Sequence, residues 1–203
     1  ISSVTIACAQ ISKSNNLLIV FAVLSFIFLV FGVLRFKNTE EFIVPKKILS
    51  NKLFLISNLT HFFIGVGLII AIITVPVMAE TILGASPLEG GLRLLRLTIA
   101  LSIGAFIGGL MTEKINSKIP LMAGFILISV GFYFMFGWGL DIGDPEMTIH
   151  LSLLGLGFGI CISPITYSAM KNINDTERGS ASSLLTLSRM LGMTIGLSSL
   201  TAW

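Results

Sequence analysis

Between Lys52 and Glu80 the chain reads LFLISNLTHFFIGVGLIIAIITVPVMA, 27 residues (53–79) with no Asp, Glu, Lys or Arg. A bilayer core about 30 Å thick takes about 20 apolar residues of helix, so this run is long enough to cross it. The same absence of charge holds between Lys13 and Arg35, Lys118 and Asp141, and Glu146 and Lys171. Two further apolar stretches are interrupted by arginine: 92–112, with Arg93 and Arg96, and 179–203, with Arg189. These limits predict six transmembrane helices at about 16–35, 53–79, 92–112, 120–140, 148–171 and 179–203. The fold class is therefore all-α, a polytopic membrane helix bundle. Lipid cannot satisfy backbone polar groups, and the alternating ten-residue strands of a membrane β-barrel are not visible.

Composition agrees. Of 203 residues 54% are hydrophobic and 11% charged, with a mean hydropathy of +0.97; a soluble domain is about 25% charged. That deficit excludes a soluble enzyme, a nucleic-acid-binding module and a disordered tail. The net charge of +3 comes from scattered basic residues and forms no stripe for a polyanion. Cys8 and Cys161 match neither a disulfide framework nor a metal-ligand spacing. The start at Ile1, with no signal-peptide pattern, and the stop inside an apolar run at Trp203 suggest an internal piece of a longer membrane protein.

Sidedness follows from a separate signal. Arg35, Lys37, Lys46, Lys47 and Lys52 share one connection, Lys114 and Lys118 another, and Lys171 and Arg178 a third. The connections between them, around 80–91 and 141–147, carry no Lys or Arg. The positive-inside rule places the basic connections in the cytoplasm, in a cell (plasma or inner) membrane, and Trp138 at an outer interface. The 35–52 stretch reads either as a surface amphipathic segment broken by Pro45 or as a solvated linker.

Ionisable and polar groups within spans are the functional candidates, because each costs about 3 kcal/mol at the bilayer centre on insertion scales. Arg189 shares a face with Ser182, Thr186, Gly192 and Gly196. It reads as a substrate-path or gating charge, or as a structural arginine bonded to a neighbouring helix. Arg93 and Arg96 share a face with Ala100, Gly104 and Gly108 and read as anchors or as an outward-facing cationic vestibule. His61, beside Ser57, Asn58 and Thr60, is a proton-relay or packing histidine; His150, at a span end, is interfacial. Glu80, at an outer helix end, and Tyr167 complete the path candidates. Pro76 and Pro164 are expected to kink their spans, and Gly155, Gly157 and Gly159 either line an irregular helix or pack tightly. No catalytic constellation, cofactor fingerprint or metal-ligand cluster is present in the sequence, which points away from an enzyme.

Three motifs carry a family resemblance. Leu83-Gly84-Ala85-Ser86-Pro87-Leu88-Glu89-Gly90-Gly91-Leu92-Arg93-Leu94-Leu95 resembles the connection between the first two helices of the C-terminal half of 14-span major facilitator drug/proton antiporters. Gly109-Leu110-Met111-Thr112-Glu113-Lys114-Ile115-Asn116-Ser117-Lys118 is similar to the superfamily's cytoplasmic loop motif, Gly-x-x-x-Asp-Arg-x-Gly-x-Arg. There Asn116 replaces a glycine and is expected to adopt its left-handed turn. Glu177-Arg178-Gly179-Ser180-Ala181-Ser182 with Ser188-Arg189-Met190-Leu191-Gly192 resembles the start of the penultimate helix. Arg96 stands where the family usually has Pro, and Glu80 where Gln is common.

The resemblance implies the end of a central region with one span (1–35), a cytoplasmic linker (36–52) and a C-terminal transporter half lacking its last helix (53–203). It implies proton-coupled export of drugs or other small amphipathic solutes by alternating access, with lipid bilayer, small-molecule substrate and proton as partners, no nucleic acid, and an oligomeric state left open. Separately, an acid and a helix start expected on the same membrane side suggest that Glu113 pairs with Arg178 or with the start of the last helix and holds one conformational state closed. The alternative is a non-transporting sensor or scaffold on the same fold. Single cysteines near Lys46 and within 141–147 are expected to react with an impermeant maleimide from opposite faces of the membrane; labelling from one face would overturn the six-span reading.

Overall fold

The computed structural model describes Ile48, residues 50–139 and residues 142–201. The expected span at 16–35 and most of the 36–52 linker lie outside them. Helix α1 (Lys52–Thr81) begins where the Asn51 side chain accepts from the amides of Leu53 and Phe54 at 3.0 and 3.4 Å. Its carbonyls at Ala79 and Met78 accept from Ala85 and Leu83, and Gly84, at φ +62, makes the left-handed turn that closes the loop.

Helix α2 (Pro87–Lys114) starts five residues before the expected Leu92. Apolarity marks where lipid begins, whereas the helix begins at its cap. Ser86 Oγ accepts from the Glu89 amide at 3.4 Å, and the Glu89 carboxylate accepts from the Ser86 amide at 2.8 Å, with Pro87 opening the first turn. Helix α3 (Lys118–Phe136) stops at Gly137, short of the expected residue 140. Helix α4 (Asp144–Met170) starts four residues before the expected 148, with Asp144 and Glu146 in a first turn where the helix dipole favours acids. A three-residue 3-10 turn (Asp175–Glu177) leads into α5 (Arg178–Thr201).

Among the described residues four helices, α1 to α4, are long and apolar enough to cross a membrane. Four of the six expected spans are thus seen among them. One of the other two lies outside the described residues, and α5, with Arg189 and its many hydroxyl side chains, is less apolar than the four. Helices α1 and α4 remain continuous through Pro76 and Pro164, so neither proline ends its helix.

The described residues fall into two compact units, residues up to Ile70 with those from Ile173 onward, and Ala71–Asn172. In the second unit α4 lies against both α2 and α3. The run Gly155-x-Gly157-x-Gly159 explains how. At 100° per residue, Gly155 and Gly159 share a face and Gly157 points the other way. A β-carbon on Gly155 or Gly159 would strike the carbonyl oxygen of Leu97 or Leu101 on α2. One on Gly157 would lie 2.8 Å from the Ile128 nitrogen on α3. Gly104 and Gly108 of α2 press back on the backbone of Leu156 and Ile160, and Gly124 of α3 on Cys161.

Around this seam the usual soluble pattern is inverted. Ala100, Gly104 and Gly108 of α2 are buried, whereas Leu92, Leu95, Ile99, Ile103 and Phe106 are exposed. Small residues inside and large apolar ones outside suit helices solvated by lipid. In the first unit the same device joins α1 to α5: Gly65 meets the Arg189 carbonyl and Gly192 the Phe62 carbonyl.

Overpacking a seam costs about 1–3 kcal/mol, so Gly159→Leu is expected to lower the thermal midpoint of the intact protein in detergent by several degrees. Gly91→Ala, whose β-carbon would meet nothing within 4 Å, should leave it unchanged or raise it slightly.

Candidate functional site

The first element is a charge cluster in the N-terminal parts of α2 and α4. Arg96 donates Nη2–H to Asp144 Oδ2 at 2.8 Å and Nη1–H to Asp144 Oδ1 at 3.0 Å, a fork-on-fork pair. Arg96 Nη1 also donates to Thr148 Oγ1, and Arg93 Nε lies 3.5 Å from Asp144 Oδ1. Arg93 Nη1 is buried with no hydrogen-bond partner among the described residues. Helical spacing places both arginines on one face; Asp144, 48 residues beyond Arg96, is the partner sequence reasoning missed. Its available signal was an acid directly before Pro145 and after Gly143, a helix-start pattern, but no local pattern names its cation.

The second element lies in the first unit. His61 is 4% exposed, and neither of its ring nitrogens has a hydrogen-bond partner among the described residues. The same is true of Asn58 Oδ1, one turn earlier. Ser188 of α5 donates its hydroxyl to the Asn58 backbone carbonyl at 3.0 Å. Leu55, Asn58, Leu59, Phe62 and Ser188 line a cavity of about 320 Å³. Arg189, half-buried, meets this face through its backbone, and Gly192 and Gly196 are buried against α1. An imidazole and an amide in an apolar wall each carry a desolvation cost, which falls whenever a polar partner reaches them.

The loop motif lies at the opposite end of α2 from the charge cluster. Glu113, Lys114, Asn116 and Lys118 are exposed, and Gly109 is half-buried, with Ser163 Oγ 3.8 Å from where its β-carbon would be. Asn116 does not adopt the expected left-handed turn, since no described non-glycine residue has positive φ. Its side chain instead accepts from the Lys118 amide at 3.2 Å, and its carbonyl from the Ile119 amide at 3.0 Å, so it bends the chain into α3 as an Asx turn. Arg178 pairs with Asp175 at 3.1 Å on an exposed surface. Glu80 is exposed on the last turn of α1, and Tyr167 is 52% exposed on α4. Among the described residues no cluster of His, Cys, Asp or Glu is suited to a metal.

A helical membrane bundle with these motifs has relatives. The family model described as Major Facilitator Superfamily matches residues 4–197, and the chain belongs to that superfamily. It is 31% identical over 149 residues to a triacylglyceride transporter of Mycolicibacterium smegmatis, covering 68% of this chain and 27% of that protein. It is 28% identical over 165 residues to the multidrug transporter protein MdtP of Bacillus subtilis, covering 81% of this chain and 30% of that protein. A triacylglyceride transporter of Mycobacteroides abscessus is 27% identical over 149 residues, covering 68% of this chain and 29% of that protein. The chain thus spans less than a third of the length of these curated relatives.

Asp144 is half exposed, so its tie to Arg96 is expected to contribute about 1 kcal/mol. A double-mutant cycle on Arg96→Leu and Asp144→Leu, read by thermal unfolding of the intact protein, should return a coupling of that size, and Arg96→Lys should lose most of it because a lysine cannot fork.

Proposed function

We propose that this chain forms part of a secondary active exporter of amphipathic or lipid-like solutes, coupled to protons and working by alternating access, within the 14-span drug/proton antiporter branch. The observation that carries this reading is that the Asn58 amide oxygen and the His61 ring are buried in the apolar wall of α1 with no hydrogen-bond partner among the described residues. An apolar wall suits a greasy cargo, and an imidazole within it is a group able to accept a proton and pass it on. The names of the relatives support the cargo class, since one group is named for a triacylglyceride and another for multiple drugs. Arg189, on the helix that packs against the His61 face, contributes a fixed positive charge beside the same path.

Efflux of a fluorescent amphiphile from vesicles bearing the intact transporter, driven by an imposed pH gradient, tests this. His61→Asn is expected to slow efflux at least about tenfold and to flatten its pH dependence. An unchanged pH profile would remove the relay. Absence of any gradient-driven movement in the unaltered protein would favour a sensor or scaffold on the same fold.

A further inference from the structure

The outer end of α3 carries a concentration of rings: Tyr133, Phe134 and Phe136 on its last turn and Trp138 just past Gly137. His150 of α4 lies among them. Its ring stacks on Phe134 with centroids 4.6 Å apart and planes 8° from parallel, and lies 6.4 Å from Trp138 at 22°. Trp138 Nε1–H donates to His150 Nδ1 at 3.0 Å. This bond and the stacking fix the orientation of the imidazole among the rings. Together with Glu146 these side chains line a cavity of about 530 Å³. Among its described lining residues Glu146 is the sole charged one.

We propose that this pocket binds the ammonium group of an organic cation of the choline or alkylammonium type. Ring faces are electron-rich and attract a cation lying within about 6 Å of their centroids. The Glu146 carboxylate in the lining completes the match. An anion would meet both the carboxylate and the negative ring faces. A purely apolar ligand would strip water from Glu146 without replacing it. An interfacial aromatic belt explains rings at this depth, but not a carboxylate among them or a histidine stacked on one ring and hydrogen-bonded to another. Two sources offer the same chemistry, a phospholipid headgroup and a free cationic solute. The site does not rest on the transport reading.

The test is a titration of the intact protein in phosphatidylglycerol nanodiscs with tetramethylammonium chloride, against sodium chloride at matched ionic strength. Trp138 emission is isolated by subtracting the Trp138→Phe protein. A saturable change is expected, weakened about fivefold in Glu146→Gln and also weakened in Phe136→Ala. Phe136 is 93% exposed, so that second variant does not depend on repacking a core. In phosphatidylcholine nanodiscs, loss of the response identifies the headgroup as occupant, and an equal response identifies a free cation; both support the ammonium site. No saturable change in phosphatidylglycerol, or one equally strong in both variants, would overturn it.

Discussion

Lipid tails are as apolar as leucine, so moving a leucine from lipid into a helix interface gains little. Attraction between membrane helices must come from atoms brought close together over a long seam. In the Ala71–Asn172 unit this constraint is met by glycine. Gly155 and Gly159 let the α2 backbone approach one side of α4, and Gly157 lets α3 approach the other. Gly104 and Gly108 answer from α2, Gly124 and Gly131 from α3. With the seam set, Arg96 falls opposite Thr148, Gly104 opposite Leu156 and Gly108 opposite Ile160, so α2 and α4 run parallel and in step. The ion cluster at one end can form only because that register is fixed.

Polar groups divide into those that satisfy themselves and those that connect. Thr60, Thr112, Ser129 and Thr166 donate to carbonyls four residues back on their own helices, which lets hydroxyls sit in apolar surroundings without tying helices together. Ser163 donates instead across to the Ala105 carbonyl of α2 at 2.9 Å, and Ser188 across to Asn58. Against that background of satisfied groups, the ring of His61 and the amide oxygen of Asn58 stand out. A site in a membrane wall is defined by polar atoms whose needs the wall itself leaves unmet.

The superfamily match fits a scaffold whose chemistry is set by a few side chains on a common helical frame. Relatives named for a triacylglyceride and for multiple drugs share that frame with this chain. The described helices supply apolar walls with sparse polar stations, and the exposed loop residues Glu113, Lys114 and Lys118 keep their charges in water.

The apolar runs determined by themselves that the chain is helical and of membrane length, because an uncharged stretch of 27 residues has few other stable forms. The capping box at Ser86 and Glu89 and the Asp144-Pro145 start were also written in the sequence, and hydropathy limits alone missed both because helix starts follow caps and first-turn prolines rather than the point where lipid begins. The small-residue face of Arg93, Arg96, Ala100, Gly104 and Gly108 was legible from helical periodicity. Tertiary structure alone decided what that face meets. Asp144 joins Arg96 across 48 positions, Asn116 bends by its side chain rather than through a left-handed backbone, and the three glycines of α4 serve two neighbours at once. Periodicity fixes the direction of each side chain about its own axis, but the partner in that direction is set by the register between helices, which no local run of residues contains.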